Sequence, residues 1–127
     1  MGETVLYYNP GNAPKPAVMK SVLVRMGVRI KNIREEQLGE TIGSLLGIEK
    51  KEKTEGTAPA GPLEEQMLVL YRFSGNRLDQ LLYGLRKAGV PKIELKAVVT
   101  EKNSRWTMYE LYEELKKERE AFAKGND

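Results

Sequence analysis

TVLYYNPGNAPKPAVMKSVLVRMGVRI (residues 4–30) and MLVLYRFSGNRLDQLLYGLRKAGVPKIEL (residues 67–95) each read as strand, helix, strand. Within them Arg25-Met26-Gly27-Val28 recurs as Lys87-Ala88-Gly89-Val90, an offset of 62 (89 − 27). Followed outward, residues 4–48 and 66–122 each read as strand, helix, strand, helix, so the chain states one βαβα pattern twice. Strands alternating with helical segments point to βαβ units and an α/β fold.

The details of each half support that pattern. Thr4–Tyr8 is a short apolar run that stops at Asn9-Pro10-Gly11, a turn signal. Met19, Val22, Leu23 and Met26 have the i, i+3, i+4, i+7 spacing of an amphipathic helix over 16–26. Gly27 suits the left-handed position past that helix, and Gly89 repeats it in the second half. A strand is predicted over 28–33 and a helix near 36–46 that buries Leu38, Ile42 and Leu45; Gly39, Thr41 and Gly43 weaken this helix. In the second half, Met67–Phe73 reads as a strand, and Ser74 as the cap of a helix whose face is Leu78, Leu81, Leu82 and Leu85. A strand is predicted over 93–100. Thr107 and Glu110 form a T-x-x-E capping box for the last helix, with Trp106 placed to staple onto Leu111. The stripe Leu111, Leu115 and Phe122 is expected to face the core.

The two kinds of strand order the sheet. VLYY and MLVLY are apolar on both faces, which suits central positions. VRIKNI and IELKAVV carry charge on alternate residues, which suits edges. Right-handed crossovers then favour a four-stranded, mostly parallel sheet of order 2-1-3-4 with helices on both faces. Two βαβ units meeting antiparallel are the alternative. The chain reads as a single domain, 1–127, of two halves (1–48 and 63–127). Residues 49–62, without a large apolar side chain, read as a mobile connector.

Composition removes several chemistries. The 127 residues include no Cys and no His. Disulfides, thiolate metal sites and a serine–histidine or cysteine–histidine nucleophile are therefore outside this chain's reach. No GxxxxGK[ST] or GxGxxG phosphate loop is present. Asn9 and Ser74 stand where a phosphoacceptor site of the response-regulator kind needs acids after strands 1 and 3. The net charge is +3, with both signs interspersed. The amino-terminal MGETVLYYNP has no apolar run of signal-peptide length, and a cytoplasmic location is expected.

In an open parallel sheet, ligands bind where the strands end at the topological switch point. For order 2-1-3-4, Asn9 and Asn12 line one side of that crevice, and Ser74, Gly75 and Asn76 the other, with Thr100, Lys102 and Asn103 nearby. Such a set suits a small anion. The same residues are also ordinary turn and cap chemistry. Trp106 reads as a staple before it reads as a stacking platform. The pairs Glu35-Glu36, Glu64-Glu65 and Glu113-Glu114 read as solvated faces, since neighbouring carboxylates on a helix point apart. Lys20, Arg25, Arg29, Lys31 and Arg34 form the most basic stretch, either a phosphate contact or a guard for an edge strand.

Phe73-Ser74-Gly75, the strand Leu95-Lys96-Ala97-Val98-Val99-Thr100 and the loop Asn103-Ser104-Arg105-Trp106-Thr107 together resemble the bacterial family catalogued as domain of unknown function 3783, most clearly over 66–120. The first half, including EEQLGETIGSLLGI, is similar to the segment that often precedes that domain. The resemblance implies a small cytoplasmic bacterial protein and no catalytic residues.

The functional expectation is a non-catalytic binding or regulatory module with a small-ligand crevice at the strand ends. The alternative is a protein-interaction or self-association module, with weak nucleic-acid binding ranked third. No cofactor, metal or membrane contact is expected. The partners considered are a small anionic ligand, a protein, and a second copy forming a homodimer.

Overall fold

A computed structural model describes residues 2–48 and 63–125. The connector expected over 49–62 lies outside the described residues. The first half comprises β1 (Thr4–Tyr8), α1 (Pro16–Arg25), β2 (Arg29–Asn32), a 3-10 turn (Glu35–Gln37) and α2 (Ile42–Leu46). The second comprises β3 (Met67–Tyr71), α3 (Gly75–Lys87), β4 (Lys96–Val98), a 3-10 turn (Asn103–Arg105) and α4 (Met108–Gly125). One four-stranded sheet of order β2-β1-β3-β4 runs through both halves. As their composition requires, the apolar strands β1 and β3 take the centre and the charged strands the edges.

β1 pairs parallel with β2, and β3 parallel with β4, but β1 and β3 are antiparallel, with Thr4 opposite Tyr71 and Tyr8 opposite Met67. The sheet is thus mixed. The favoured parallel meeting of the halves gives way to the alternative of two βαβ units meeting antiparallel. Strands apolar on both faces carry no mark of direction, and antiparallel pairing is slightly the more stable per residue.

This reversal has a geometric consequence. With right-handed crossovers, a twofold axis perpendicular to the sheet puts both crossover helices on the same face. Met19, Val22 and Leu23 of α1 and Leu81 and Leu85 of α3 share one core with Val5, Tyr7, Leu68 and Leu70. Leu6, Tyr8, Met67 and Val69 point the other way, into a second core with α2 and α4. Gly84 of α3 faces Val22 of α1. A Cβ there would stand 3.1 Å from Val22 Cγ1.

Both halves also end their elements alike. Gly27 (φ 76°) and Gly89 (φ 78°) take the left-handed conformation past α1 and α3. The next amide turns back in each case, Val28 N–H donating to Leu23 O (3.0 Å) and Val90 N–H to Leu85 O (2.9 Å). Thr41 caps α2 by accepting from Ser44 N–H (3.1 Å). Thr107 accepts from Glu110 N–H (3.0 Å), while Thr107 N–H donates to the Glu110 carboxylate (3.1 Å). The two capping threonines face each other across an antiparallel bridge, with Ile42 N–H donating to Trp106 O (2.9 Å). Thr107→Ala is expected to cost about 1 kcal/mol, read as a lowered urea midpoint.

Five expectations need correction, the first being the strand over 67–73, which stops at Tyr71 as Arg72 turns to φ 66°. The single helix near 36–46 is a 3-10 turn and a five-residue α2, because extended Thr41 interrupts it as cap and bridge. The strand over 28–33 contracts to Arg29–Asn32. The strand over 93–100 contracts to Lys96–Val98, because the chain bends at 94–95. That bend sends Ile93 into the α1–α3 core and Leu95 into the other. Phe122 is 73% exposed rather than core. An 18-residue helix is about 27 Å long, whereas a five-residue strand spans about 17 Å, so the end of α4 overruns the sheet.

Candidate functional site

The antiparallel centre decides which candidate residues meet. Asn9 and Asn12 follow β1 at one end of the sheet, beside the start of β3. Ser74, Gly75 and Asn76 follow β3 at the opposite end, with the whole paired length of the strands, about 13 Å, between the two groups. Thr100, Lys102 and Asn103 follow β4, which runs parallel to β3, and so share the second end. The structure therefore does not bring the two sides of the expected crevice together.

Each group also has local work. Asn9 Oδ1 accepts from Gly11 N–H (2.8 Å) and Ala13 N–H (3.3 Å). Asn12 Nδ2 donates to Glu64 O (3.1 Å), tying the first loop to the entry of β3. Ser74 Oγ accepts from Arg77 N–H (3.2 Å), the cap expected for α3. Gly75 is exposed, and a Cβ there would meet nothing within 4 Å. Asn76 is exposed. Asn103 is buried: its Oδ1 accepts from Thr100 N–H (2.8 Å), its Nδ2 donates to Val98 O (3.0 Å), and its own N–H donates to Thr100 Oγ1 (3.1 Å). Lys102 Nζ lies 5.8 Å over the Trp106 ring. Trp106 packs against the core cluster that holds Leu111, as a staple does.

Two arginines that the sequence reading passed over bind the elements together. Arg77, in the first turn of α3, grips Glu3 ahead of β1 with Nε (2.8 Å) and Nη2 (2.6 Å), and Nη2 also donates to Met26 O (2.6 Å) at the end of α1. The antiparallel pairing places the start of β1 and the end of β3 at the same end of the sheet, where the grip joins them. Arg119 of α4 holds Glu65 (2.7 and 2.8 Å) and Glu94 (2.9 Å) ahead of β3 and β4. These guanidinium hydrogen bonds hold the Glu3 and Glu65 carboxyls below their ordinary value of 4.5, against the opposing effect of burial. A lowered carboxylate pKa contributes stability that is present above 4.5 and lost as pH falls through the folded value. Glu3→Gln is accordingly expected to be less stable than the native chain at pH 7, by about 1 kcal/mol, with the gap closing below pH 4.5 in parallel urea titrations.

The basic stretch of the first half is divided. Lys20 and Arg25 lie on α1, Arg29 and Lys31 on edge strand β2. Lys31 Nζ donates to Leu45 O at the end of α2, and Arg34 pairs with Glu36 (2.9 Å). A different cationic surface forms instead. α1 contributes +2 (Lys20, Arg25) and α3 +2 (Arg77, Arg86 and Lys87 against Asp79), together +4, beside a net +3 for the whole chain. Glu3 neutralises Arg77 and leaves +3 on this face. Between the helices runs an open groove of about 580 Å³ lined by Arg25, Met26, Gln80, Tyr83, Gly84 and Lys87. Tyr83 is 61% exposed and Val24 66%. Sequence reasoning missed this face because it depends on α1 and α3 lying side by side.

Residues 66–122 match the family model described as Domain of unknown function (DUF3783). The matched segment is 57 of 127 residues (122 − 66 + 1), under half of the chain, and contains the motifs that suggested the resemblance. It takes in β3, α3, β4 and most of α4, hence Tyr83 and Lys87 but not α1. No curated protein and no solved structure matches the chain. Among the described residues, no group of three or more Asp and Glu side chains is placed to hold a metal ion, and no helix is long and apolar enough to cross a membrane.

Proposed function

We propose that this chain is a cytoplasmic, non-catalytic interaction module whose working surface is the α1–α3 face, and that its partner is an acidic protein surface. The observation that carries this reading is the segregation of charge. Two adjacent helices carry Lys20, Arg25, Arg86 and Lys87 with Asp79 as their one carboxylate, and Arg25 and Lys87 line the open groove between them, while α4 on the other face is nearly balanced, its five glutamates set against Lys116, Lys117, Arg119 and Lys124. Exposed Tyr83 supplies an amphipathic anchor of the kind that protein interfaces favour. A shallow, open groove suits a protein surface better than an enclosed small molecule. The repeated βαβα arrangement, with matching glycine ends and threonine caps, favours origin by duplication, and the shared face is its product.

The test is an amide chemical-shift titration with a polyglutamate peptide at low salt, repeated with a single-stranded oligonucleotide. The expected result is saturable shifts in α1 and α3 with polyglutamate, lost in the Arg25→Glu/Lys87→Glu double variant. Shifts confined to other elements, or none, would sink the reading. Tighter oligonucleotide binding centred on Tyr83 would replace the acidic protein with nucleic acid.

A further inference from the structure

Beyond that face, a second concavity opens where the end of α3 overhangs β4. This cleft of about 240 Å³ is walled by Leu85, Val90 and Ile93, and three cations, Arg86, Lys92 and Lys96, line it as well. No carboxylate lines it. Among the described residues, none of the three cations belongs to an ion pair.

We propose that this cleft binds a small amphipathic monoanion, a short aliphatic carboxylate, with its chain on Leu85, Val90 and Ile93 and its carboxylate at Lys96 and Lys92. The placement of Lys96 carries the proposal. The bend at 94–95 breaks the strand's alternation, and Lys96 lies half-buried in the cleft rather than out in solvent. Its ammonium has three N–H donors and spends one on Ile93 O. Burial first, and then the neighbouring Lys92, disfavour the charge on Lys96, and the smaller pull of Glu94, whose carboxylate pairs with Arg119, opposes them only in part. An anion in the cleft relieves both penalties. The negative end of the α3 dipole explains cations at Arg86 and Lys87, in the last turn of the helix, but not at Lys92 and Lys96 beyond it.

Size and field narrow the ligand. At about 30 Å³ per water, the cleft has room for about eight waters, below the usual range for drug-sized ligands. A short chain of six to eight carbons, roughly, is what such a volume accepts. The C-terminal end of α3 supplies carbonyls, not N–H groups, and so repels a dianion more than the single charge of a carboxylate that Lys92 and Lys96 can offset.

The experiment is an amide-shift titration of the whole chain at pH 7 with octanoate, with octanol and inorganic phosphate run alongside. Octanoate is expected to shift the amides of 85–96 saturably, with octanol binding at least tenfold more weakly and phosphate leaving the site unmoved. Lys96→Met keeps the apolar stem and removes a half-buried charge, so it should fold and weaken octanoate at least tenfold. Lys92→Gln, at an exposed position, should weaken it several-fold. Absence of octanoate shifts at 85–96, equal binding of octanol or phosphate, or affinity unchanged in both variants would each overturn the proposal. The variants keep the two sites apart: Arg25→Glu/Lys87→Glu should abolish the polyglutamate shifts and leave the octanoate shifts at 90–96 in place, and Lys96→Met should do the reverse.

Discussion

Leu68→Ala is expected to lower the free energy of unfolding by about 3 kcal/mol, whereas Val98→Ala, on the neighbouring strand, should change it by less than about 0.5 kcal/mol. Leu68 is 0% exposed and sits in β3 with α1 and α3 packed over it. Truncation there loses the transfer free energy of the deleted carbons and leaves a cavity that the two helices, already in contact at Gly84 and Val22, close only partly. Val98 is 41% exposed on edge strand β4 and loses little. Urea denaturation of both variants reads the difference directly. Comparable losses would mean that β3 is not the central strand.

Asn103→Ala is expected to cost about 2 kcal/mol, through hydrogen bonding rather than packing. Its side chain accepts from Thr100 N–H and donates to Val98 O, so it ties the turn after β4 back onto the strand. Alanine leaves both backbone groups without that partner. The loss is moderated by water at exposed Thr100. Asn103→Asp keeps the acceptor for Thr100 N–H and loses the donor to Val98 O, so it should recover part of the stability. An Asn103→Ala protein as stable as the native chain would show that the side chain is not a fastener for the turn, and would restore interest in it as a ligand contact.

Much of the architecture is legible because each signal has one physical meaning. The doubly apolar runs Val5–Tyr8 and Met67–Leu70 have both faces buried, so their central place follows. Gly27, Gly89 and the Thr107–Glu110 box end or start helices by local hydrogen bonding that needs no knowledge of the rest of the chain. The direction of β3 against β1 is different in kind. It is set by contacts between halves, such as Arg77 on Glu3 and Met26, that join residues 74 and 51 positions apart. The expected crevice depended on that direction, and its residues separate once β3 is reversed. The surfaces that take its place were hidden for the same reason. The cationic face needs α1 beside α3, and the cleft needs the bend at 94–95.

Everything proposed for the α1–α3 face rests on the antiparallel centre, and cross-strand nuclear Overhauser contacts between β1 and β3 test it most directly. The register described here predicts backbone contacts of Thr4 with Tyr71 and of Tyr8 with Met67. Contacts of Thr4 with Met67 and of Tyr8 with Tyr71 would contradict it: a parallel centre would put α1 and α3 on opposite faces and leave no shared cationic surface.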